Sequence, residues 1–270
     1  MGKNVMAANK AIFITGGASG IGKATALLFA ARGWFIGLAD VNEAGLAETA
    51  ALLPAGQSST HIMDVRDRAA WQAALTDYWA ASGGRLDVMF NNAGIARSGV
   101  FADVLPEDHD LLIDINFKGV VYGAEAALPW LAKTPGSCLL NTCSAAGIYG
   151  APGLVTYAAT KFAVRGLSEG LEAEWGPLGI KVRTIMPGFI DTPLLAITTA
   201  GTNRSARQGV QDAGLEFTPV EAVAQAAWDA VHGERLHVPV GKTAKSLAFM
   251  ARWAPGLLRR RIRKMPASRV

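Results

Sequence analysis

Two patterns of apolar positions alternate along the chain. Short, continuous apolar runs bounded by glycine, proline or polar residues read as strands buried on both faces. They fall at Ala11–Thr15, Trp34–Asp40, His61–Val65, Leu86–Asn91, Cys138–Thr142, Val182–Met186 and Leu236–Val240. Between them lie longer stretches with apolar residues three and four apart, the helical period. Helices are predicted from about Ile21 to Arg32, ending near Gly33, and over Asp67–Ser82, where Trp71, Leu75, Tyr78 and Trp79 form a stripe. Another runs from Pro106 to about Leu131, proline being suited to a first helical turn. Two more follow, over Tyr157–Trp175 and from Thr218-Pro219-Val220-Glu221, whose spacing fits a capping box.

This alternation argues for an α/β fold: a doubly wound parallel sheet of about seven strands with helices on both faces. The chain shows no linker, repeat or low-complexity stretch, so residues 1–241 read as a single domain. Residues 242–270 form a basic, amphipathic extension. The stretch from Leu194 to Phe217 is long for a connection inside a compact domain and is predicted to be a functional lid.

Composition narrows the class. Of 270 residues, 50% are hydrophobic and 18% charged, enough to bury a large core and too apolar for a disordered chain. Two cysteines exclude a disulfide scaffold and a four-cysteine zinc site. Cys138 and Cys143 lie on or beside one strand, five apart, so they point to opposite faces and read as unpaired core thiols. The four histidines show no ligand spacing, and no metal site is expected. The best apolar stretch, Gly119 to Ala132, is broken by Glu125 and Pro129 and is shorter than the roughly 18 residues of a membrane span. The N-terminus lacks the pattern of a signal peptide. Met1-Gly2 hints at acylation, but Met6 stands where Ser or Thr is wanted, and the terminal Ser268-Arg269-Val270 departs from a peroxisomal address at its last residue. A cytoplasmic protein is expected.

The net charge of +4 conceals an asymmetry: residues 242–270 carry nine Lys/Arg and no acid, whereas residues 1–241 carry 17 basic and 22 acidic groups, a net of −5. Trp253 is the only Trp or Tyr in the extension, which offers no stacking platform, so nucleic-acid binding is not expected. Arginines interleaved with Leu247, Phe249, Met250, Trp253, Leu257, Leu258 and Ile262, in two helical pieces divided by Pro255-Gly256, have the composition of an interfacial helix. Two readings stand: peripheral contact with a membrane, or a tail folded over the acidic body or a partner subunit.

The candidate chemistry begins at Thr15-Gly16-Gly17-Ala18-Ser19-Gly20-Ile21-Gly22, between the first strand and the first helix. Glycines let the backbone turn sharply and approach a pyrophosphate, to which a helix N-terminus offers free N–H groups. Asp40 ends the second strand, where a carboxylate can accept from ribose hydroxyls. Asn91-Asn92-Ala93-Gly94 follows the fourth strand, Ser144 the fifth, and Tyr157 and Lys161 come later. Together these motifs resemble the classical short-chain dehydrogenases/reductases, over residues 10 to about 240.

The resemblance implies a Rossmann fold with a nicotinamide cofactor, and roles for particular positions. Gly16, Gly20 and Gly22 would pass under the pyrophosphate, with Ser19 and Ile21 also binding the cofactor. Asp64 and Val65 would flank the adenine, and Asn91, Ala93 and Gly94 would line the cofactor groove. Asn116, Ser144, Tyr157 and Lys161 would form the catalytic tetrad. Pro187, Gly188, Ile190 and Thr192 would contact the nicotinamide. Family members that use NADP usually place Arg or Lys where Ser19 and Val41 stand here; with Asp40 repelling a 2′-phosphate, NAD is the implied cofactor. The resemblance also implies a homodimer or homotetramer built through the two long helices.

A tyrosine is a poor base at neutral pH, with a pKa near ~10. Tyr157 and Lys161 are four apart, so on a helix they share a face, and an ammonium beside the phenol would favour the phenolate. The expected walls of the substrate pocket are Ile95, Ala96, Ser98, Ile148, Tyr149, Leu154, Val155, Phe189, Leu194 and Leu195, mainly apolar, with Arg97 the only basic residue near them. An NAD(H)-dependent oxidoreductase interconverting a lipophilic secondary alcohol and its ketone follows. Its alternatives are an NADPH-linked carbonyl or 3-oxoacyl reductase and a non-catalytic cofactor-binding sensor or scaffold.

Overall fold

The computed structural model describes residues 10–265; the N-terminal Met1-Gly2 and the terminal Ser268-Arg269-Val270 lie outside the described residues. Seven parallel strands form one sheet in the order β3-β2-β1-β4-β5-β6-β7. They are β1 (Ala11–Thr15), β2 (Phe35–Asp40), β3 (Ser58–Ile62), β4 (Val88–Asn91), β5 (Cys138–Thr142), β6 (Lys181–Pro187) and β7 (His237–Val240). The strand order reverses between β1 and β4, and a crevice opens there at the carboxyl ends, where open α/β sheets bind ligands.

Helices cover both faces. On one side α1 (Gly20–Ala30), α2 (Glu43–Ala50) and α8 (Val220–His232) bury Phe29, Leu46, Val223 and Ala227 against Ile12, Ile14, Ile36 and Leu38. On the other, α3 (Arg68–Ala81), α5 (Gly119–Leu131) and α6 (Val155–Trp175) bury Trp71, Tyr78, Ala127 and Trp175 against Phe13, Met89, Leu139 and Val182. The central strands thus carry apolar side chains on both faces. The remaining helices are α4 (Pro106–Ile113), α7 (Ala206–Asp212), α9 (Lys242–Trp253) and α10 (Pro255–Arg263).

Four expectations are corrected. The third strand runs over Ser58–Ile62, not His61–Val65: it is a half-polar edge strand, and the apolar Met63 and Val65 belong to the turn that leaves it. The short helix α2 was not anticipated; Asn42 caps it by accepting a hydrogen bond from the Gly45 amide at 3.0 Å. The single helix expected from Pro106 to Leu131 is interrupted by a π-helical turn, Asp114–Lys118, between α4 and α5. No capping box forms at Thr218, because α8 starts at Val220 with Pro219 at its cap, and the Thr218 amide instead donates to the Phe189 carbonyl at 2.8 Å.

The long segment after Leu194 is ordered by its own elements. Ser205 and Gln208 form a capping box that starts α7, and the Ala200 amide donates to the Ser98 carbonyl at 2.7 Å, docking the segment on the loop after β4. The basic extension forms two helices meeting at Pro255, as its sequence suggests, and α9 packs Leu247, Ala248 and Ala251 on a small cluster with Cys143, Ile148 and Met186. Cys138 and Cys143 are buried and unpaired.

Close packing of α3 on the sheet rests on Gly37 in β2: a Cβ there would lie 2.4 Å from Tyr78 Cδ2 and 2.7 Å from a Phe13 ring carbon. Two rigid, fully buried rings cannot yield, so Gly37→Ala should destabilise the protein by about 1–3 kcal/mol, the usual range for overpacking. Thermal and urea unfolding check this; an unchanged midpoint would contradict it.

Candidate active site

The crevice at the carboxyl ends of the strands is a cleft of about 980 Å³. Of the expected cofactor positions, Gly16, Ser19, Gly20, Ile21, Asp40, Asp64, Val65, Ala93, Gly94, Pro187, Gly188, Ile190 and Thr192 line it, with Ser144, Tyr157 and Lys161. Gly22, Asn91 and Asn116 do not reach its surface.

The turn after β1 requires glycine for measurable reasons. Gly16 and Gly20 adopt φ of 68° and 52°, in the left-handed region, and a Cβ on Gly22 would stand 2.1 Å from the Gly16 carbonyl oxygen. Gly22 therefore closes the turn instead of lining the cleft. Ser19 caps α1 with no side-chain hydrogen bond, so the helix presents its first amides uncapped at the cleft, as an anion needs. Asp40 accepts hydrogen bonds from the amides of Ala18 at 3.1 Å and Asn42 at 3.0 Å, which fixes its carboxylate at the end of β2 beside the turn. A dinucleotide fits this half: backbone donors for a pyrophosphate, then an acceptor for ribose hydroxyls. Further along, Arg66 chelates Asp64 through paired hydrogen bonds of 2.9 and 2.5 Å and holds that carboxyl below its ordinary range.

The two asparagines after β4 have opposite fates. Asn91 points into the core, where its amide donates to Asn141 at 3.0 Å and to the Val120 carbonyl at 3.3 Å; it does not line the groove as expected. Asn92 takes the place at the cleft. Its Nδ2 donates to the Thr15 carbonyl at 3.0 Å, and its Oδ1 accepts from Thr142 Oγ1 at 3.1 Å. The Thr15 hydroxyl oxygen in turn accepts from the amides of Asn92 and Ala93, both at 3.0 Å. One side chain therefore ties the ends of β1, β4 and β5. Only the repeated Asn-Asn in the sequence hinted at it.

Tyr157 and Lys161 occupy one face of α6, as their spacing predicts, with the Lys161 ammonium 5.7 Å from the Tyr157 ring centroid. Lys161 is buried, and its Nζ donates to the Thr142 carbonyl at 3.0 Å. No carboxylate stands beside it, and burial pulls the ammonium down to about 8. Tyr157 departs from expectation: burial pushes the phenol up to about 12, opposed by the Ser144 hydroxyl, which favours the phenolate. Ser144 is itself anchored, accepting from the Ala146 amide at 3.1 Å.

Asn116 sits fully buried in the π-helical turn. Its Oδ1 accepts from the Ile95 amide at 2.8 Å and its Nδ2 donates to the Ile95 carbonyl at 2.9 Å. This two-point clamp holds Gly94–Ile95 against the π-helical turn. The side chain is committed to that backbone and is not directed at the cleft.

The outer half of the cleft is apolar. Ile95, Ala96, Ser98, Tyr149, Leu154, Phe189, Leu194 and Leu195 line it as expected, whereas Ile148 is buried in the core and Val155 lies outside. Arg97 turns away to pair with Asp108 at 2.6 Å. Residues of the segment after Leu194 line the cleft, adding Ile197, Val210 and Leu215 and an Arg204–Asp212 ion pair. Thr243, Leu247 and Met265 complete the wall, a contribution of the basic extension that its composition did not reveal. Among the described residues, no group of three or more His, Cys, Asp or Glu is placed to hold a metal.

Comparison with known proteins bears on this geometry. A family model described as short chain dehydrogenase matches residues 10–202. The chain is 37% identical over 188 residues to a 3-oxoacyl-(acyl-carrier-protein) reductase of Thermotoga maritima, covering 68% of this chain and 76% of that protein. It is 32% identical over 246 residues to a cyclopentanol dehydrogenase of a Comamonas species, covering 87% of this chain and 98% of the relative. A crystal structure of a short chain dehydrogenase from Mycobacterium paratuberculosis bound to NAD superposes with a TM-score of 0.78 at 26% identity, covering 87% and 98% of the two chains.

The buried ammonium has a cost that can be measured. Because its folded pKa of about 8 lies below the ordinary 10.5, Lys161 opposes folding below pH 8, and the cost fades as pH rises towards 10.5. Lys161→Met should therefore raise stability near pH 7, by up to ~3 kcal/mol less whatever the Thr142 bond contributes. The gain should shrink steadily between pH 8 and 10 in urea titrations. A variant less stable than the parent at pH 7 would show that the hydrogen bond outweighs the desolvation.

Proposed function

The chain belongs to the short-chain dehydrogenase family, and we propose that it is an NAD(H)-dependent oxidoreductase interconverting a lipophilic secondary alcohol and its ketone. The observation that carries this reading is a single cleft with two halves: a glycine turn and Asp40 at one end, apolar walls at the other, and Ser144, Tyr157 and Lys161 between them.

The nicotinamide, when bound, supplies or accepts the hydride at the carbinol carbon. The chain's own residues manage the oxygen. The Ser144 hydroxyl and the Tyr157 phenol face one space in the cleft, where the substrate oxygen would sit. With its pKa pushed up, Tyr157 rests as the neutral phenol and is set to donate a proton in ketone reduction. Alcohol oxidation needs the phenolate, which the neighbouring ammonium stabilises while it stays charged. Asn116 acts as a positioning residue, through its clamp on Ile95. The Arg204–Asp212 pair neutralises the lid's charge over the cleft, which suits an uncharged substrate.

Asp40 supports NAD over NADP. Its carboxylate faces the cleft, and its neighbours at the two positions where a phosphate-binding cation would serve are Ser19 and Val41. The reductase relative from Thermotoga maritima keeps an acyl-thioester substrate in view as the second reading. For assembly we propose a homo-oligomer through α5 and α6, on which Phe162 is left 42% exposed.

A panel of secondary alcohols and ketones with both cofactors tests the reading. Turnover should favour aliphatic, alicyclic or aryl carbinols with NAD⁺. Asp40→Ala should shrink the preference for NADH over NADPH by about tenfold, equivalent to ~1.4 kcal/mol. A native preference for NADPH, or turnover confined to polyols and charged acids, would overturn it. Tyr157→Phe should lose at least about a hundredfold in kcat, the lower range for a lost general acid, while NADH binding by fluorescence is retained. In the parent, oxidation should quicken as pH rises from 7 to 9, because the phenolate fraction of Tyr157 grows, while reduction, which uses the neutral phenol, should change little over that range.

A further inference from the structure

The two C-terminal helices present a surface that neither the fold nor the active site explains. On α9 the inward face is Ala244, Leu247, Ala248 and Ala251, buried or half-buried on the body. The outward face repeats at helical spacing as Lys245, Phe249, Arg252 and Trp253. Phe249 is 64% and Trp253 68% exposed. On α10, Leu258 is buried while Leu257, Arg260, Arg261 and Lys264 share an outward face, with Leu257 61% exposed. Three large apolar side chains thus stand in water within a field of cations.

The cations are not there to serve the body. Residues 242–264 carry eight basic groups and no acid, while residues 1–241 have a net charge of −5 that should draw them in. Yet among the described residues only Lys242 meets a carboxylate, Glu216 at 3.0 Å. Arg252 lies over its neighbour Trp253, 5.3 Å from the ring centroid, leaving its charge outward. A surface that joins exposed Trp, Phe and Leu to uncompensated arginines matches the interface of an anionic bilayer, apolar groups entering the acyl boundary and cations meeting headgroup phosphates.

We propose that the outward face of α9 and α10 docks the protein on an anionic lipid surface. Leu247 of α9 and Met265, just past the end of α10, line the cleft wall, so docking would set the cleft mouth near the bilayer. That last consequence rests on the lipophilic-substrate reading; the docking itself does not, and vesicle binding measured without substrate tests it alone.

The full-length protein is sedimented with phosphatidylcholine vesicles, with and without about 30% phosphatidylserine, at about 50 and 500 mM salt. Binding is expected only to the anionic vesicles at low salt. Arg259→Gln/Arg260→Gln/Arg261→Gln should weaken partitioning about a hundredfold, at ~1 kcal/mol for each charge. Phe249→Ala/Trp253→Ala should weaken it at least about tenfold by removing the apolar anchor. Both variants should keep the parent's melting temperature and its turnover of a water-soluble alcohol. Full-length protein that stays in the supernatant overturns the proposal, as do variants that sediment like the parent. Light scattering and retention on duplex DNA identify the other occupants: a lower oligomeric mass in the variants without vesicle binding assigns the face to a second copy of the chain, and salt-sensitive DNA retention without vesicle binding assigns it to nucleic acid. Either result overturns the lipid surface.

Discussion

The site depends on one side-chain amide. Asn92 holds the carboxyl ends of β1 and β5 to its own place at the end of β4, through the Thr15 carbonyl on one side and the Thr142 hydroxyl on the other. Thr15 and Thr142 pair with Ala39 and Ile185 on their outer sides, but on the β4 side the ladders end at Ile14–Phe90 and Asn91–Asn141, so this side chain carries the contact one residue further. The tie sets the Gly16 turn on β1 and the Thr142 backbone on β5 at a fixed distance. Thr142 then holds Lys161 through its carbonyl, while the Cys143 thiol donates to the Lys161 carbonyl at 3.1 Å. The position of the ammonium relative to the cofactor turn is thus carried by a chain of three hydrogen bonds, Lys161 to Thr142, Thr142 to Asn92 and Asn92 to Thr15, the last of which crosses the topological switch point.

Burial acts on Lys161 and Tyr157 in two directions. Desolvation lowers Lys161 and raises Tyr157, so each group alone would prefer to be neutral. A charge in the low-dielectric floor interacts strongly with its neighbour, so protonating one favours ionising the other. This is a different balance from the one that residue spacing suggests, in which the lysine simply lowers the tyrosine; the spacing shows the shared helix face but carries no information on how deeply that face is buried.

The central sheet was legible because strands covered on both faces leave continuous apolar runs, as Ile12–Ile14 and Leu139–Leu140 do. β3 was not, because an edge strand that reads Ser-Ser-Thr-His-Ile has no such run. The π-helical turn at Asp114–Lys118 was hidden for a related reason: one inserted position keeps the composition of a helix and shifts only its phase. Asn91 and Asn92 show the limit at the site. They are adjacent at a strand end and therefore face opposite ways, and which one meets the cleft is set by the register of β4 with β5, not by either residue type. Tyr157, Lys161 and the glycine turn were readable because their roles depend on local spacing along one element.

The same distinction applies to how the cleft is assembled along the chain. The match to the family spans residues 10–202, and it contains the glycine turn, Asp40, Asn92, Asn116, Ser144, Tyr157, Lys161 and Thr192. It stops inside the lid. Beyond it lie Ala206, Val210 and Leu215 of the lid and Thr243, Leu247 and Met265 of the extension, all on the cleft wall. These residues approach the site only through long-range packing, α9 on the cluster of Cys143 and Met186, and the lid on Ser98. Changes there alter the shape of the apolar half without disturbing the strand ends that hold the reacting groups. The family-matched part of the chain therefore holds the strand ends, Ser144, Tyr157 and Lys161 together with walls such as Ile95, Tyr149 and Phe189, and the residues past it close the remaining side of the cleft without touching those strand ends.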